Sequence, residues 1–291
     1  MRIVSWNCCW QKEGFTEEKR NEILKLNPDI LIVQECKQDD WEKLNYSSEK
    51  GHWYGDGKEA QGDPEKSLGI GIFCNNDYSV DCSLFNGKDL SNMRYAIPYI
   101  IKKNNEEILT LFSVWAKSGY ENYHVPILNS LKYFYEETNS PIVLVGDLNT
   151  GSQYGNKENS KFYENIKKEL EEKYLLINCA FWQEWLPTFH KANNGGYDFY
   201  LDDHCFFVLP NHVISFGMGN WLHWFKHSDH MPLIIDFDDY LFKEFGTGPE
   251  RIPLVIATKE GRKEVKRIRE EYKEHYLPHN MKYGDYKKEM W

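Results

Sequence analysis

Carboxylate, amide and histidine side chains border apolar runs at five places along the chain. In order, the clusters are Ser5-Trp6-Asn7, Gln34-Glu35, Gly146-Asp147-Leu148-Asn149, Asp202-Asp203-His204 and Ser228-Asp229-His230. Each borders a stretch that predicts a β-strand, and strands that converge in a sheet would bring the clusters into one cleft. Carboxylates, amides and a histidine are the groups needed to hold a hard metal ion and hydrolyse a phosphate ester.

Asn7 and Glu35 follow two neighbouring predicted strands. A carboxylate and a carboxamide oxygen at adjacent strand ends form half of a shell for Mg²⁺, which keeps water in its other positions. A lone glutamate at the end of a strand usually only contacts solvent. The neighbouring asparagine favours a metal site instead.

Gly146-Asp147-Leu148-Asn149 is the strongest single motif. Two residues apart, Asp147 and Asn149 can face one cleft if the segment stays extended. The carboxylate could orient or deprotonate a water, and the amide could bind a phosphate oxygen whose charge grows in the transition state. The structural alternative is an Asx turn after a strand.

His230 can serve as an acid, a base or a cation against a phosphoryl oxygen. Its orientation would need a partner carboxylate. Asp203 is the candidate partner and Asp202 is the alternative. Their spacing along the chain does not decide between them. The alternative is that His230 is only a polar residue at the start of a strand.

The elements that would position these groups are many strands with helices between some of them. Predicted strands cover 2–6, 30–33, 68–74, 79–85, 95–101, 108–115, 142–145, 174–178, 204–208, 213–216 and 231–237, and predicted helices cover 16–26, 121–137 and 158–172. The polar segment 37–66 predicts a long surface loop on the substrate side. Two sheets packed face to face with helices outside fit this order better than an open parallel sheet.

The net charge and the cysteine content indicate which binding partners and which cellular compartment to expect. The 291 residues carry a formal net charge of −10, so binding of nucleic acid would need a local basic patch or a bridging metal. The seven cysteines are odd in number and lack CxxC spacing, which favours reduced thiols in a cytoplasmic protein. With no apolar run of bilayer length and no leader segment, we expect no membrane span.

Together and in this order, the five clusters resemble the endonuclease/exonuclease/phosphatase superfamily, over residues 1 to about 238. That superfamily includes DNase I-like nucleases, apurinic/apyrimidinic endonucleases, sphingomyelinases, inositol polyphosphate 5-phosphatases and deadenylases. The resemblance implies an α/β (α+β) fold, a DNase I-like four-layer αββα sandwich of two mixed β-sheets with helices outside. Val114-Trp115-Ala116-Lys117 is similar to a bacterial branch of the family.

The resemblance implies roles for the residues at matching positions, with Mg²⁺ or Mn²⁺ as the cofactor. The implied metal site comprises Glu35, Asn7 and Asp229. The implied catalytic and phosphate-binding residues are Asp147, Asn149, Asp203 and His230. Asp203 matches the family pattern better than Asp202, because Phe206 then falls where the family has phenylalanine.

One position departs from the family pattern. Many members have a histidine or tyrosine that touches the phosphate on the strand near 111–115, where this chain has Val114-Trp115. The phosphate contact is therefore either missing or supplied from elsewhere, with Lys117 as the candidate. The predicted substrate-binding residues at this place are Trp115 and Lys117.

These features predict a Mg²⁺- or Mn²⁺-dependent phosphoesterase that cuts a phosphodiester in nucleic acid. They do not decide between DNA and RNA, or between cleavage inside a strand and cleavage from its end. The first alternative is a phosphatase or phosphodiesterase for a small or lipid-linked phosphate ester, favoured by the net charge of −10 and the aromatic residues of 37–66. The second is an inactive binding module.

The chain divides into two parts in this interpretation. Residues 1–240 form the catalytic domain, and 241–291 form a C-terminal extension. Within the extension, 259–273 predicts a charged helix with a narrow apolar stripe, docked on the core. A contact with nucleic acid is the alternative role of this helix.

Overall fold

The protein is described by a computed structural model. The described residues are 1–9, 11–55, 68–75, 77–90, 93, 96–116, 124–151, 157–179, 187–193, 196–208 and 213–237. The extension 241–291 therefore lies outside them, and its predicted helix stays a prediction.

Two six-stranded mixed sheets form the centre of the described part of the chain. The first sheet has the order β13 (Val213–Met218), β14 (Leu233–Phe237), β1 (Arg2–Asn7), β2 (Ile30–Lys37), β4 (Leu68–Cys74) and β3 (Gly51–Gly55). The second has the order β5 (Tyr78–Asp81), β6 (Ala96–Lys103), β7 (Glu106–Trp115), β8 (Ile142–Asp147), β12 (Asp203–Phe207) and β9 (Ile177–Asn178). A separate hairpin joins β10 (Phe189–Asn193) and β11 (Gly196–Tyr200).

Helices cover the outer faces of both sheets. They are α1 (Glu17–Leu24), α2 (Gln38–Glu42), α3 (Val125–Phe134), which continues as a 3₁₀ turn over Tyr135–Glu137, α4 (Lys157–Tyr174) and α5 (Trp221–Trp224). Ile23, Trp41 and Trp224 from α1, α2 and α5 pack on the outer face of the first sheet. Ile127 and Ile166 from α3 and α4 belong to the core that includes the second sheet.

The side chains of β2 alternate between two apolar clusters, one on each face of the first sheet. Ile30 and Ile32 belong to the core between the sheets, whereas Leu31 and Val33 belong to the cluster under the outer helices. Successive side chains of a strand point to opposite faces, so a continuous apolar run is what a strand covered on both sides requires. The four-layer αββα sandwich expected from the sequence is confirmed.

The prediction of one long surface loop over 37–66 is wrong for its first half. Gln38–Glu42 is helical and Gly51–Gly55 is the edge strand of the first sheet. The cause is Trp41, which is buried against Gly71, where a Cβ atom would lie 2.2 Å from the indole ring. Residues 56–67 lie outside the described part of the chain.

Other boundaries differ by a few residues. The strand predicted over 79–85 spans only Tyr78–Asp81, and the one predicted over 174–178 spans Ile177–Asn178, because α4 continues to Tyr174. In the described residues, no helix has the length and apolar character needed to cross a bilayer.

Candidate active site where the two sheets meet

The first sheet brings four of the predicted residues to one end of its central strands. β1 and β2 run parallel, so Asn7, the last residue of β1, lies beside Gln34, and Glu35 follows two residues before the end of β2. Because β14 runs antiparallel to β1, Asp229 and His230, shortly before β14, lie at the same edge.

The second sheet presents its carboxylates at the facing edge. Asp147 ends β8, and Asp203 begins the antiparallel strand β12 directly opposite it. Both side chains are fully buried, at 0% exposure.

Asn7 joins the two halves across the gap between the sheets. Its Nδ2 donates to Glu35 Oε1 at 3.0 Å and to Asp147 Oδ2 at 2.9 Å. Its Oδ1 accepts a hydrogen bond from the backbone N–H of Cys9 at 3.0 Å. The amino group of Asn7 therefore faces the carboxylates, and a metal bond would have to use the second lone pair of Oδ1.

A β-bulge sets the position of Glu35. The pairing of β2 with β4 shifts by one residue between Gln34 and Cys36, and Glu35 has a φ of +56°. Val33 and Cys36 both belong to the outer cluster, so Glu35 is an extra residue inserted into the alternation. Such a bulge re-aims a side chain, and here it directs the carboxylate toward Asn7.

Asp147 is held by the turn that follows it. Gly146 has a φ of +144°, and a Cβ atom there would lie 2.0 Å from the Val114 carbonyl oxygen, so this position requires glycine. Asn149, at a φ of +50°, donates its backbone N–H to Asp147 Oδ1 at 2.8 Å and its Nδ2 to Oδ2 at 3.0 Å. The same Nδ2 donates to the Ala116 carbonyl at 2.7 Å.

His230 is paired with Asp203 rather than with Asp202. Its Nδ1 donates to Asp203 Oδ2 at 2.9 Å, and the ring is 4% exposed. Trp6 Nε1 donates to the His230 carbonyl at 3.0 Å, and Ser228 Oγ donates to the Asn7 carbonyl at 2.7 Å. The backbone around the histidine is therefore fixed to β1.

The β10–β11 hairpin, which the sequence analysis did not predict, supports this pair. Thr188 Oγ1 accepts the backbone N–H groups of Asp202 at 3.1 Å and Asp203 at 3.0 Å. Phe189 forms an isolated bridge with His230, and their ring centroids lie 4.7 Å apart. Sequence gives one usable signal, the Asn194-Gly195 dipeptide between the two strands, which is typical of a tight hairpin turn.

Lys19 is a second feature that sequence analysis missed. The side chain is buried, and its ammonium group donates to the carbonyls of Lys12 at 2.6 Å, Cys8 at 2.7 Å and Cys9 at 3.5 Å. These three acceptors match the three ammonium hydrogens. Lys19 thereby holds the loop that follows Asn7.

Burial and neighbouring charges perturb the ionisable groups. Burial raises the pKa of Asp147 well above its usual range, opposed by His230 and assisted by the charge of Asp203. For His230, burial lowers the pKa, but Asp203 and Asp147 outweigh it and the net pKa is well above its usual value. Burial also raises the pKa of the Cys9 thiol to about 11, and the adjacent Asp229 carboxylate adds to that rise.

The donor set fits a divalent cation. Asp147, Asp203 and His230 offer ligand atoms that all lie within 4.8 Å of one another. Asp203 Oδ1 is buried and has no hydrogen-bond partner among the described residues. Asp147 and Asp203 are buried carboxylates that repel each other, and either the His230 imidazolium or a bound metal ion would relieve that repulsion. Glu35 and Asp229, both half-buried, add oxygen donors to the same edge.

The two remaining candidate residues have different outcomes. Trp115 ends β7 beside Asp147, and its side chain is buried in the main core, so its role in substrate binding stays a prediction. Lys117 lies outside the described residues, and its role stays a prediction.

Comparison with known proteins identifies the class. The sequence matches the Endonuclease/Exonuclease/phosphatase family over residues 4–230, and the chain belongs to this family. The family comprises nucleases and phosphatases that typically depend on divalent metals. A search of curated proteins gave no match.

Solved structures with the same fold include three clear examples. An endonuclease/exonuclease/phosphatase from Bacteroides vulgatus is 15% identical with a TM-score of 0.57, covering 81% of this chain and 98% of that one. The Xenopus laevis APE2 catalytic domain is 12% identical with a TM-score of 0.56, covering 81% and 91%. An AP endonuclease from Archaeoglobus fulgidus is 16% identical with a TM-score of 0.54, covering 82% and 99%.

Proposed function

We propose that the protein is a Mg²⁺- or Mn²⁺-dependent phosphodiesterase that cleaves a nucleic-acid backbone with an activated water. The observation that carries the proposal is the junction at Asn7, whose amide bonds one carboxylate from each sheet. Together with the buried cluster of Asp147, Asp203 and His230, it forms one acidic site at the edge where the sheets meet.

Glu35, with Asn7 beside it and Asp229 at the same edge, would hold the cation. When bound, the ion would polarise a phosphoryl oxygen and neutralise the charge that develops on it. Glu35 and Asp229 suit this role because both are half-buried, which leaves room for the water molecules that Mg²⁺ retains.

Asp147 orients the attacking water and accepts its proton. A carboxylate offers about four lone-pair sites. Three are used by Asn7 Nδ2 and by the backbone and side-chain N–H groups of Asn149, which leaves one on Oδ1 for the water. The raised pKa of Asp147 makes it a stronger base than an ordinary carboxylate.

His230 and Asn149 bind the phosphate. Asp203 and Asp147 raise the pKa of His230, which favours its imidazolium form, and that cation would attract a phosphoryl oxygen. Asp203 fixes the ring through Nδ1. Asn149 would bind phosphate by releasing its Nδ2 from Ala116 or from Asp147.

The test is hydrolysis of a substrate panel by the purified protein with Mg²⁺, Mn²⁺ or EDTA. The panel contains single- and double-stranded DNA, RNA, nucleotides and phospholipid head groups. We expect the unmodified protein to release nucleotides or fragments only when metal is present, and we expect Asp147→Asn to lose this activity. Hydrolysis that persists in EDTA, or in Asp147→Asn, would contradict it.

The lipid-linked alternative has one structural observation in its favour. An exposed apolar surface formed by Pro187, Trp221, Leu222 and Phe225 lies close to the site. Faster hydrolysis of phospholipids than of nucleic acid in the same panel would favour that alternative.

A further inference from the structure

An exposed apolar surface borders the candidate site. We call it the platform, and it consists of Pro187, Trp221, Leu222 and Phe225, which line an open depression of about 480 Å³. Leu222 is 95% exposed and Phe225 is 37% exposed. Single exposed apolar residues are common, but a cluster beside a functional site marks a surface that binds a ligand.

The platform is connected to the site through the β10–β11 hairpin. The His190 ring stacks on Phe225 with centroids 4.5 Å apart and lies 5.2 Å from the Trp221 ring. The backbone N–H of His190 donates to the Asp229 carbonyl at 3.0 Å. His190 therefore links the platform to the segment that carries Asp229 and His230.

The platform is also fixed in position. Asn220 caps α5 by accepting the Leu222 N–H at 2.9 Å, and the buried Trp224 anchors the helix on the core. The Trp224 carbonyl accepts the backbone N–H of Ser228 at 3.1 Å, which ties α5 to the segment carrying His230.

A cation lies at the edge of the platform. Lys12 Nζ donates to the Phe225 carbonyl at 3.1 Å and lies 5.2 Å from the centroid of its ring. Within the described residues no carboxylate forms an ion pair with Lys12. The surface thus combines the half-buried ring of Trp221 and the exposed ring of Phe225 with a positive charge, on a chain whose net charge is −10.

We propose that the platform is a stacking subsite for a nucleobase of a single-stranded substrate, next to the phosphate held by His230. A nucleotide uses both features, because its base can stack on Trp221 while its flanking phosphate meets Lys12. A phospholipid also carries a phosphate, but its acyl chain has no flat π-face to stack on the indole of Trp221. The choice of ligand rests on the phosphodiesterase function proposed above.

The test measures binding in the Asp147→Asn background with Mg²⁺, so that cleavage does not interfere. The probes are a short fluorescein-labelled oligothymidylate and the same backbone with abasic residues, followed by fluorescence anisotropy. Trp221→Ala should weaken binding of oligothymidylate about tenfold and leave the abasic strand unchanged. Trp221→Phe, which keeps a ring, should restore most of the affinity.

Ile214→Ser is the matched control, since Ile214 is exposed on β13 outside the platform, and it should change neither affinity. Leu222→Ser is a second variant that spares folding, and it should weaken only the base-bearing strand, about twofold to threefold. Equal loss for both strands in Trp221→Ala, or no loss, would overturn the subsite. The subsite would also be overturned if binding to vesicles of phosphatidylcholine and phosphatidylglycerol required Trp221 and binding of oligothymidylate did not.

A parallel cleavage assay with the unmodified protein separates the two proposals. Base-dependent binding without metal-dependent cleavage would refute the phosphodiesterase function and retain the subsite. Cleavage that is equally fast on base-bearing and abasic strands, and insensitive to Trp221→Ala, would refute the subsite and retain the phosphodiesterase.

Discussion

The two sheets contribute unlike halves to the candidate site. The second sheet supplies Asp147 and Asp203, which are fully buried and lie opposite each other on paired strands. Asp147 accepts hydrogen bonds from Asn7 and Asn149, and Asp203 accepts one from His230. The first sheet supplies Glu35 and Asp229, which are half-buried and lie at a bulge and a loop. The difference suggests a division of labour, in which the buried half tunes proton affinity and the open half exchanges metal and water.

Asp147→Asn tests the buried half most strongly. We expect kcat to fall by about 10³-fold, because the amide keeps the shape but does not accept a proton. The measurement is steady-state hydrolysis with Mg²⁺, with thermal unfolding to show that the fold persists. Asp39→Asn, the same change at an exposed position on α2, should leave kcat unaltered. Full activity in Asp147→Asn would remove this residue from the mechanism.

Asp203→Asn should have the next largest effect. It removes the carboxylate that orients His230 and raises its pKa, so kcat should fall by about 10²-fold. Asp202→Asn is the matched control, because Asp202 is also buried but is not the hydrogen-bond partner of the His230 ring. If Asp202→Asn proves the more damaging of the two, the assignment of the pair is wrong.

Glu35→Gln tests the open half and should behave differently. We expect the half-saturating Mg²⁺ concentration to rise roughly tenfold or more, with activity partly recovered at high Mg²⁺, because a neutral amide is a weaker ligand. Activity as a function of Mg²⁺ and isothermal titration measure this shift. Glu106→Gln, at an exposed strand position, provides the control. An unchanged metal requirement would contradict the role of Glu35.

Lys19→Met should have the smallest effect on catalysis and a clear one on stability. It leaves the carbonyls of Cys8 and Lys12 without their buried donor, which should cost about 2 kcal/mol of unfolding free energy. Displacement of the loop after Asn7 should lower kcat a few-fold. Chemical denaturation and kinetics check both, with Lys25→Met at the exposed end of α1 as the control. Unchanged stability would show that the three carbonyl contacts are not formed in solution.

Sequence was sufficient for the placement of the functional groups at strand ends. Apolar runs such as Ile30–Val33 predict buried strands, and the polar residues that follow lie near the strand ends, although β2 continues past Glu35 to Lys37. The convergence of Asn7, Glu35 and Asp147 follows from that rule once the strands assemble. Pairing of His230 with Asp203 was expected as the first of two alternatives.

Local geometry was not readable from the sequence. The bulge at Glu35 inserts one residue into β2, and the hydrophobic pattern of this short segment does not reveal the insertion. The direction of the Asn7 amide depends on the Cys9 N–H, a contact set by the following loop. The edge strand β3 was missed because what makes Gly51–Gly55 a strand is its pairing with β4, a tertiary contact that the local composition does not report.

Anomalous diffraction from crystals grown with Mn²⁺ would show whether groups from both sheets meet around one cation. We expect a manganese peak within coordination distance of the Glu35 carboxylate, in the cleft bounded by Asp147 and His230. A peak bound elsewhere, or none in crystals saturated with Mn²⁺, would contradict this expectation.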